Sequence, residues 1–109
     1  MNHPTPSEFA YVVGKNAKDN WRILDEADHE DVWIHLQDVS SAYVIIKSLD
    51  GSPITKDAIH IGAKLCKERS KYKNEKRVHA CYLQTRFVGK GRQTGQAILM
   101  KEPTVITVR

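Results

Sequence analysis

The segment Asp31–Gln37, DVWIHLQ, alternates apolar and polar positions, which predicts a β-strand with Val32, Ile34 and Leu36 on one face. Asp31, Trp33, His35 and Gln37 then project from the other face. A half-buried strand ordinarily carries small polar residues on its wet side. Here an indole sits between an acid and an imidazole, and two readings stay open. Either a helix covers Trp33, with Asp31 and His35 as hydrogen-bonded neighbours, or the face is an aromatic-lined surface that meets a ligand.

The rest of the pattern arranges itself around this strand. Phe9–Val13 is a short apolar run that predicts a buried strand ending at Gly14. Asn16 is placed to cap a helix reaching about Ala27, with Asp19 in its first turn and Ala17, Trp21, Leu24 and Ala27 on one face. Asn20 falls within that apolar face, where an amide must find partners. It either bonds the strand backbone beneath it or reaches a ligand beside Gly14, Lys15 and Asn16. A glycine turn feeding a helix amino terminus suits an anion such as phosphate, although the GxGxxG and GxxxxGK spacings are absent.

Val39–Ser41 predicts a turn, and Tyr43–Lys47 a second strand antiparallel to the first. Thr55 caps a second helix, with Asp57 in its first turn and Ala58, Ile61, Gly62 and Leu65 on its inner face. Arg77–Val88 alternates again and predicts one long, bent strand. A glycine-punctuated basic loop, Gly89–Gly95, follows as a flexible finger, then strands at Gln96–Met100 and Thr104–Val108. The expected fold class is α+β: a mainly antiparallel sheet of five or six strands with two helices. Residues 9–109 form a single domain in this reading, and residues 1–8, with Pro4 and Pro6, a flexible tail.

Composition narrows the classes. A chain of 109 residues, 40% hydrophobic and 28% charged, matches one ordinary globular domain. No apolar run approaches the roughly 20 residues a membrane span requires, so no membrane association is expected. The amino-terminal residues lack a secretory pattern. Cys66 and Cys81, without CxxC spacing, read as reduced, buried thiols of a cytoplasmic protein, with no metal and no cofactor.

Charge changes the picture more. The net charge of +4 hides seven acids against one base between Asp19 and Asp38, and ten bases against two acids between Lys64 and Arg92. His60, Lys64, Lys67 and Lys71 recur at helical spacing, predicting a basic stripe that continues through Arg69, Lys73, Lys76 and Arg77. Lys90 and Arg92 add cations on the glycine loop. Such a stripe is either a solvated face or a surface that meets a phosphate backbone. Asp31 and His35, about 13 Å apart along a strand, cannot form a direct acid–base dyad.

Five segments together resemble the NFACT-R domain, the carboxy-terminal module of ribosome quality-control factors that add tails to stalled nascent chains. They are GKNAKDN at Gly14–Asn20, DVWIH at Asp31–His35, YVIIK at Tyr43–Lys47, ERSK at Glu68–Lys71, and FVGK with its glycine loop at Phe87–Gly95. Ser41, Ala42 and Tyr43 replace the Gly-Ser-His common in long members and are more similar to small free-standing relatives, so a free-standing short form is expected. The resemblance implies RNA association, beside transfer RNA and the large ribosomal subunit. Carried over by position, it implicates Lys15, Asn16, Asn20, Asp31, Trp33, His35, Ser70, Lys71 and Lys90. With Tyr43, Lys64, Lys67 and Arg92 from the residues themselves, these form the expected nucleic-acid-binding set.

The leading expectation is a nucleic-acid-binding module acting on RNA in a transfer-RNA or ribosomal-RNA context, in translation quality control or RNA processing. The residues alone do not separate RNA from DNA. The alternatives are a protein–protein adaptor using an exposed Trp33–His35 face, and an RNA-modifying enzyme in which His35 acts with Asn20, Ser70 or Tyr43. No nucleophile–base spacing, metal-ligand set or cofactor fingerprint supports the enzyme.

Overall fold

The computed structural model describes residues 8–109. Its elements are β1 (Phe9–Val13), α1 (Ala17–Asp25), β2 (Val32–Leu36), β3 (Val44–Ser48), α2 (Lys56–Glu68), β4 (Val78–Gln84), β5 (Val88–Lys90), β6 (Ala97–Leu99) and β7 (Thr104–Val108). Five strands form one antiparallel sheet in the order β1-β3-β2-β4-β7, while β5 and β6 pair separately as a hairpin. The α+β class is as the pattern predicts.

Alternation in β2 sets the layers. Val32, Ile34 and Leu36, with Val44 and Ile46 of β3, pack against Ala58, Ile59, Ala63 and Cys66 of α2. Trp33, Ile45, Cys81 and Leu83 face the other way and meet Ile23 and Leu24 of α1 and Val88 of the hairpin. The sheet is therefore covered on both faces, by α2 on one side and by α1 with the hairpin on the other. Both helices start as their caps dictate: Asn16 accepts the Asp19 N–H at 2.8 Å, and Thr55 accepts the Ala58 N–H at 3.1 Å.

Four details depart from the sequence reading. First, α1 ends at Asp25, ahead of Ala27; Ile23 is buried beside Leu24, while Ala17 is exposed. Second, α2 is rotated about its axis relative to the expected face. Ile61 is 51% exposed, whereas Ile59, Ala63 and Cys66 are buried. Gly62 explains the rotation: a Cβ there would lie 2.7 Å from Ile34 Cδ1, so the helix backbone rides directly on β2 at that point.

Third, the long strand expected at Arg77–Val88 is two strands. β4 ends at Gln84, and a 3-10 turn at Thr85–Phe87 lifts the chain into the hairpin. Thr85 anchors that turn: its N–H donates to the Asp31 carbonyl at 2.9 Å, and its hydroxyl donates to the Asp28 carbonyl. Fourth, the Gly89–Gly95 loop is no free finger. Its first two residues belong to β5, and the Gln96 carbonyl and Oε1 accept the N–H groups of Gly91, Arg92 and Gln93 at 2.8–3.3 Å. The expected tail lies outside the described residues up to residue 7, while the Glu8 carbonyl accepts the Leu49 N–H at 3.0 Å.

Candidate nucleic-acid interface

At one end of the sheet, four connections converge on a cleft of about 1330 Å³. The turn into α1 supplies Gly14, Lys15, Asn16 and Asn20, and the β2–β3 connection supplies residues 37–42. Arg69, Ser70 and Lys71 follow α2, and Gln93–Ala97 come from the hairpin. Trp33, His35, Tyr43 and Cys81 also line it, from the sheet face that carries α1.

Three aromatic rings pack together here. Trp33 and His35 lie parallel, with centroids 5.6 Å apart and planes within 4°. Tyr43 meets both edge-on, at 5.5 and 5.6 Å. The Tyr43 hydroxyl donates to the Gly95 carbonyl at 2.5 Å, and the Trp21 Nε1–H donates to the Gln96 carbonyl at 3.0 Å. These two bonds hold the hairpin turn against the sheet and α1. Burial pushes the Tyr43 phenol up to about 12, so it stays a donor at neutral pH.

His35 is half-buried, and desolvation lowers its pKa from the ordinary imidazole value, partly offset by the carbonyls of Leu36 and Ser41. Its Nδ1 lies 2.6 Å from the Leu36 carbonyl, which can only accept. The neutral ring therefore carries its proton on Nδ1 and leaves Nε2 as an acceptor. Asn20 Oδ1 accepts the Tyr43 N–H at 3.1 Å, which bears out the reading of a structural amide bonded to strand backbone. Asn20 nevertheless also forms part of the cleft wall.

Of the thirteen residues expected from sequence, eight line the cleft: Lys15, Asn16, Asn20, Trp33, His35, Tyr43, Ser70 and Lys71. The other five do not. Asp31 is buried at 5% exposure, pairs with Lys47 at 2.5 Å and accepts the Asp28 N–H at 2.9 Å, which makes it a brace for the β1–β3–β2 part of the sheet. Its polar face is shared with Trp33 only in the strand pattern. Lys90 pairs with Asp25 at 3.1 Å over the Trp21 ring, so its charge is spent holding the hairpin to α1. Arg92 lies exposed on the hairpin turn, outside the cleft lining.

Lys64 and Lys67 fail for a common reason. The rotation of α2 turns Lys67 inward, to 8% exposure, and α2 ends at Glu68, before Lys71. The expected stripe is thus divided: Lys64 and His60 line a smaller recess with Thr107 and Arg109, apart from the cleft that Lys71 joins. Three cations, Lys15, Arg69 and Lys71, line the main cleft, with Asp38 as its one acid among the described residues.

Some cleft residues escaped sequence reasoning. Gln93 reads as a residue of the basic loop, Gln96 as the first residue of a strand, and Cys81 as a buried thiol. Only the docking of the hairpin onto α1 brings the glutamines to the cleft, and a signal for that existed at Gly95. Its φ of +88° and its packing against Ala17, where a Cβ would meet Ala17 Cβ at 2.6 Å, demand glycine.

Comparison with known proteins agrees with this architecture. Residues 3–105 match the family model described as the NFACT protein RNA binding domain. None of the curated proteins compared matches the chain. Among solved structures, the C-terminal part of the fibronectin/fibrinogen-binding protein from Streptococcus suis superposes with a TM-score of 0.83 at 19% identity. The superposition covers 99% of this chain and 46% of that one, so this chain spans about half of that structure, and the likeness concerns the fold. No helix among the described residues is long and apolar enough to cross a membrane. With the family model matching nearly the whole chain, the protein belongs to the NFACT protein RNA binding domain family.

Proposed function

We propose that this domain binds RNA at the cleft, taking an unpaired segment of transfer or ribosomal RNA in the setting of translation quality control or RNA processing. The observation that carries this reading is the composition of the cleft: Lys15, Arg69 and Lys71 line it together with the half-buried His35 and the polar Gln93 and Gln96. Cations suit phosphates, and base edges suit the polar groups between them. The family description supports RNA over DNA. Unpaired RNA exposes base edges that a duplex hides in its deep, narrow groove, so an unpaired strand or end is the ligand whose bases these polar groups can read.

Part of the basic run is committed within the fold: Arg86 and Lys90 face Glu30 and Asp25 of the acidic run, and Lys67 is buried. For a strand lying in the cleft, the phosphate contacts fall to the cations that line it, Lys15, Arg69 and Lys71. Three contacts to a single strand give a slope of log K against log salt near −2, at roughly −0.7 per contact. Glutamine at Lys15 and Lys71 together lowers affinity for unpaired RNA and flattens that slope, whereas Lys64→Gln leaves both nearly unchanged. A titration against transfer RNA, unpaired RNA, duplex DNA and a neutral polymer decides the matter. Binding that ignores salt and nucleic acid alike, and instead captures a polypeptide, replaces this reading with the adaptor.

A further inference from the structure

Pairing of β2 with β4 sets Val32 opposite Gln84 at one end of the sheet and Leu36 opposite Ala80 at the other. The acidic loop before β2 lies at the Val32 end, where Asp31 and Glu30 pair with Lys47 and Arg86. The connection from α2 to β4, residues 69–77, lies at the Leu36 end beside the cleft. Its Lys73, Lys76 and Arg77 are all exposed, Glu75 is its one acid, and none of these four forms an ion pair among the described residues. The strand pair Val78–Val108 continues this end to a recess lined by Arg109 and, from α2, Lys64 and His60. Glu68, one turn along α2 from Lys64, makes no ion pair with it. The charge polarity of the sequence is thus a polarity in space, with uncompensated cations gathered at one end of the sheet.

Resting on the RNA-binding reading above and deepening it, we propose that this basic end is a second contact surface, continuous with the cleft, that seats the phosphate backbone of an RNA duplex. The ligand is then an unpaired end leaving a duplex. Its free nucleotides lie in the cleft and its helical part against Lys73, Lys76 and Arg77.

Three features favour a duplex backbone there. Arg69 and Lys71 open the connection and also line the cleft, so a strand leaving the cleft on that side meets the remaining cations of the same connection. The surface also offers charge without a reader of bases. Tyr72, the one aromatic ring of the connection, packs against the α2 core and carries Lys71 Nζ 5.5 Å from its centroid, which leaves no open ring for a base to stack on. Cations that touch no base gain most where phosphates are densest, and a duplex carries two strands of them on one axis. Duplex RNA is held in this way, through its backbone and shape rather than its base edges. Lastly, Lys73, Lys76 and Arg77 repel one another in the free protein, and a polyanion relieves that repulsion.

The test uses the whole chain and three RNAs: a short unpaired oligomer, a blunt hairpin, and the same hairpin carrying the oligomer as an overhang. The overhang hairpin should bind more tightly than either part. Its slope of log K against log salt should be steeper than the oligomer's by about 2 to 3, at roughly 0.9 for each added phosphate contact. Lys73→Gln, Lys76→Gln and Arg77→Gln together should remove that gain while oligomer binding and the melting temperature stay as in wild type. An overhang hairpin bound no more tightly than the oligomer, or bound by the triple variant as by wild type, overturns the duplex surface and leaves the cleft reading standing. A blunt hairpin held through the three cations by a protein that ignores the oligomer keeps the surface and removes the cleft reading instead. If poly-glutamate displaces the overhang hairpin as well, charge for charge, as the blunt hairpin does, the assignment to RNA is overturned in favour of an acidic polypeptide.

Discussion

The side-chain amide of Asn20 occupies the space that a side chain on Gly14 would need: a Cβ on Gly14 would collide with Asn20 Oδ1. The same oxygen accepts the Tyr43 N–H at 3.1 Å, and the Gly14 N–H donates to the Tyr43 carbonyl at 2.9 Å. Three segments are thus joined at one point, the end of β1, the first turns of α1 and the start of β3.

That junction gives a sharp thermodynamic expectation. Asn20→Ala strands the buried Tyr43 N–H and should lower stability by about 1–3 kcal/mol. Gly14→Ala should also destabilise, through collision with the amide. The double variant should cost less than the sum of the two, because removing the amide vacates the space the new methyl needs. Chemical denaturation of the three variants measures this coupling; strict additivity would show that the amide does not fill that space.

Asp31 should behave as a structural residue. Its carboxylate is buried and holds Lys47 and the Asp28 N–H at the end of β2. Asp31→Ala is expected to reduce stability by about 1–3 kcal/mol, as the loss of a charged hydrogen-bonded partner does. RNA affinity of the folded fraction should not change. A variant that melts like wild type but binds RNA poorly would return Asp31 to the interface.

His35 links stability to pH. Burial depresses its folded pKa below the unfolded value of about 6.5. Between the two values the unfolded chain binds more protons, so stability rises with pH through that window. The contribution is complete above about pH 6.5 and is lost as pH falls through the folded pKa. A His35→Gln variant should melt at a temperature that depends less on pH between 5 and 7 than wild type does. If the two melting profiles run parallel over that range, His35 does not carry the linkage. The same variant should bind unpaired RNA more weakly, and wild-type affinity would remove His35 from the cleft's working surface.

Local pattern determined a good deal on its own. Strand alternation placed Val32, Ile34 and Leu36 on one face and Trp33 and His35 on the other, and cap chemistry at Asn16 and Thr55 started both helices where they begin. These are properties of a residue and its near neighbours, so a linear sequence carries them. Family membership was legible for a related reason: five separated motifs in one order constrain a fold more than any one of them.

Tertiary structure alone decided what each charge is used for. Lys67 and Lys71 share a periodicity, yet the contact of Gly62 with Ile34 sets the rotation of α2 and turns Lys67 inward, and the helix ends before Lys71. Lys90 looks free in the sequence, but the hairpin brings it to Asp25, 65 residues away. Asp31 and His35 share a strand face, yet one end of that strand meets Lys47 and the other opens into the cleft. In each case the outcome depends on which distant backbone comes close, and periodicity along a chain contains no term for that distance.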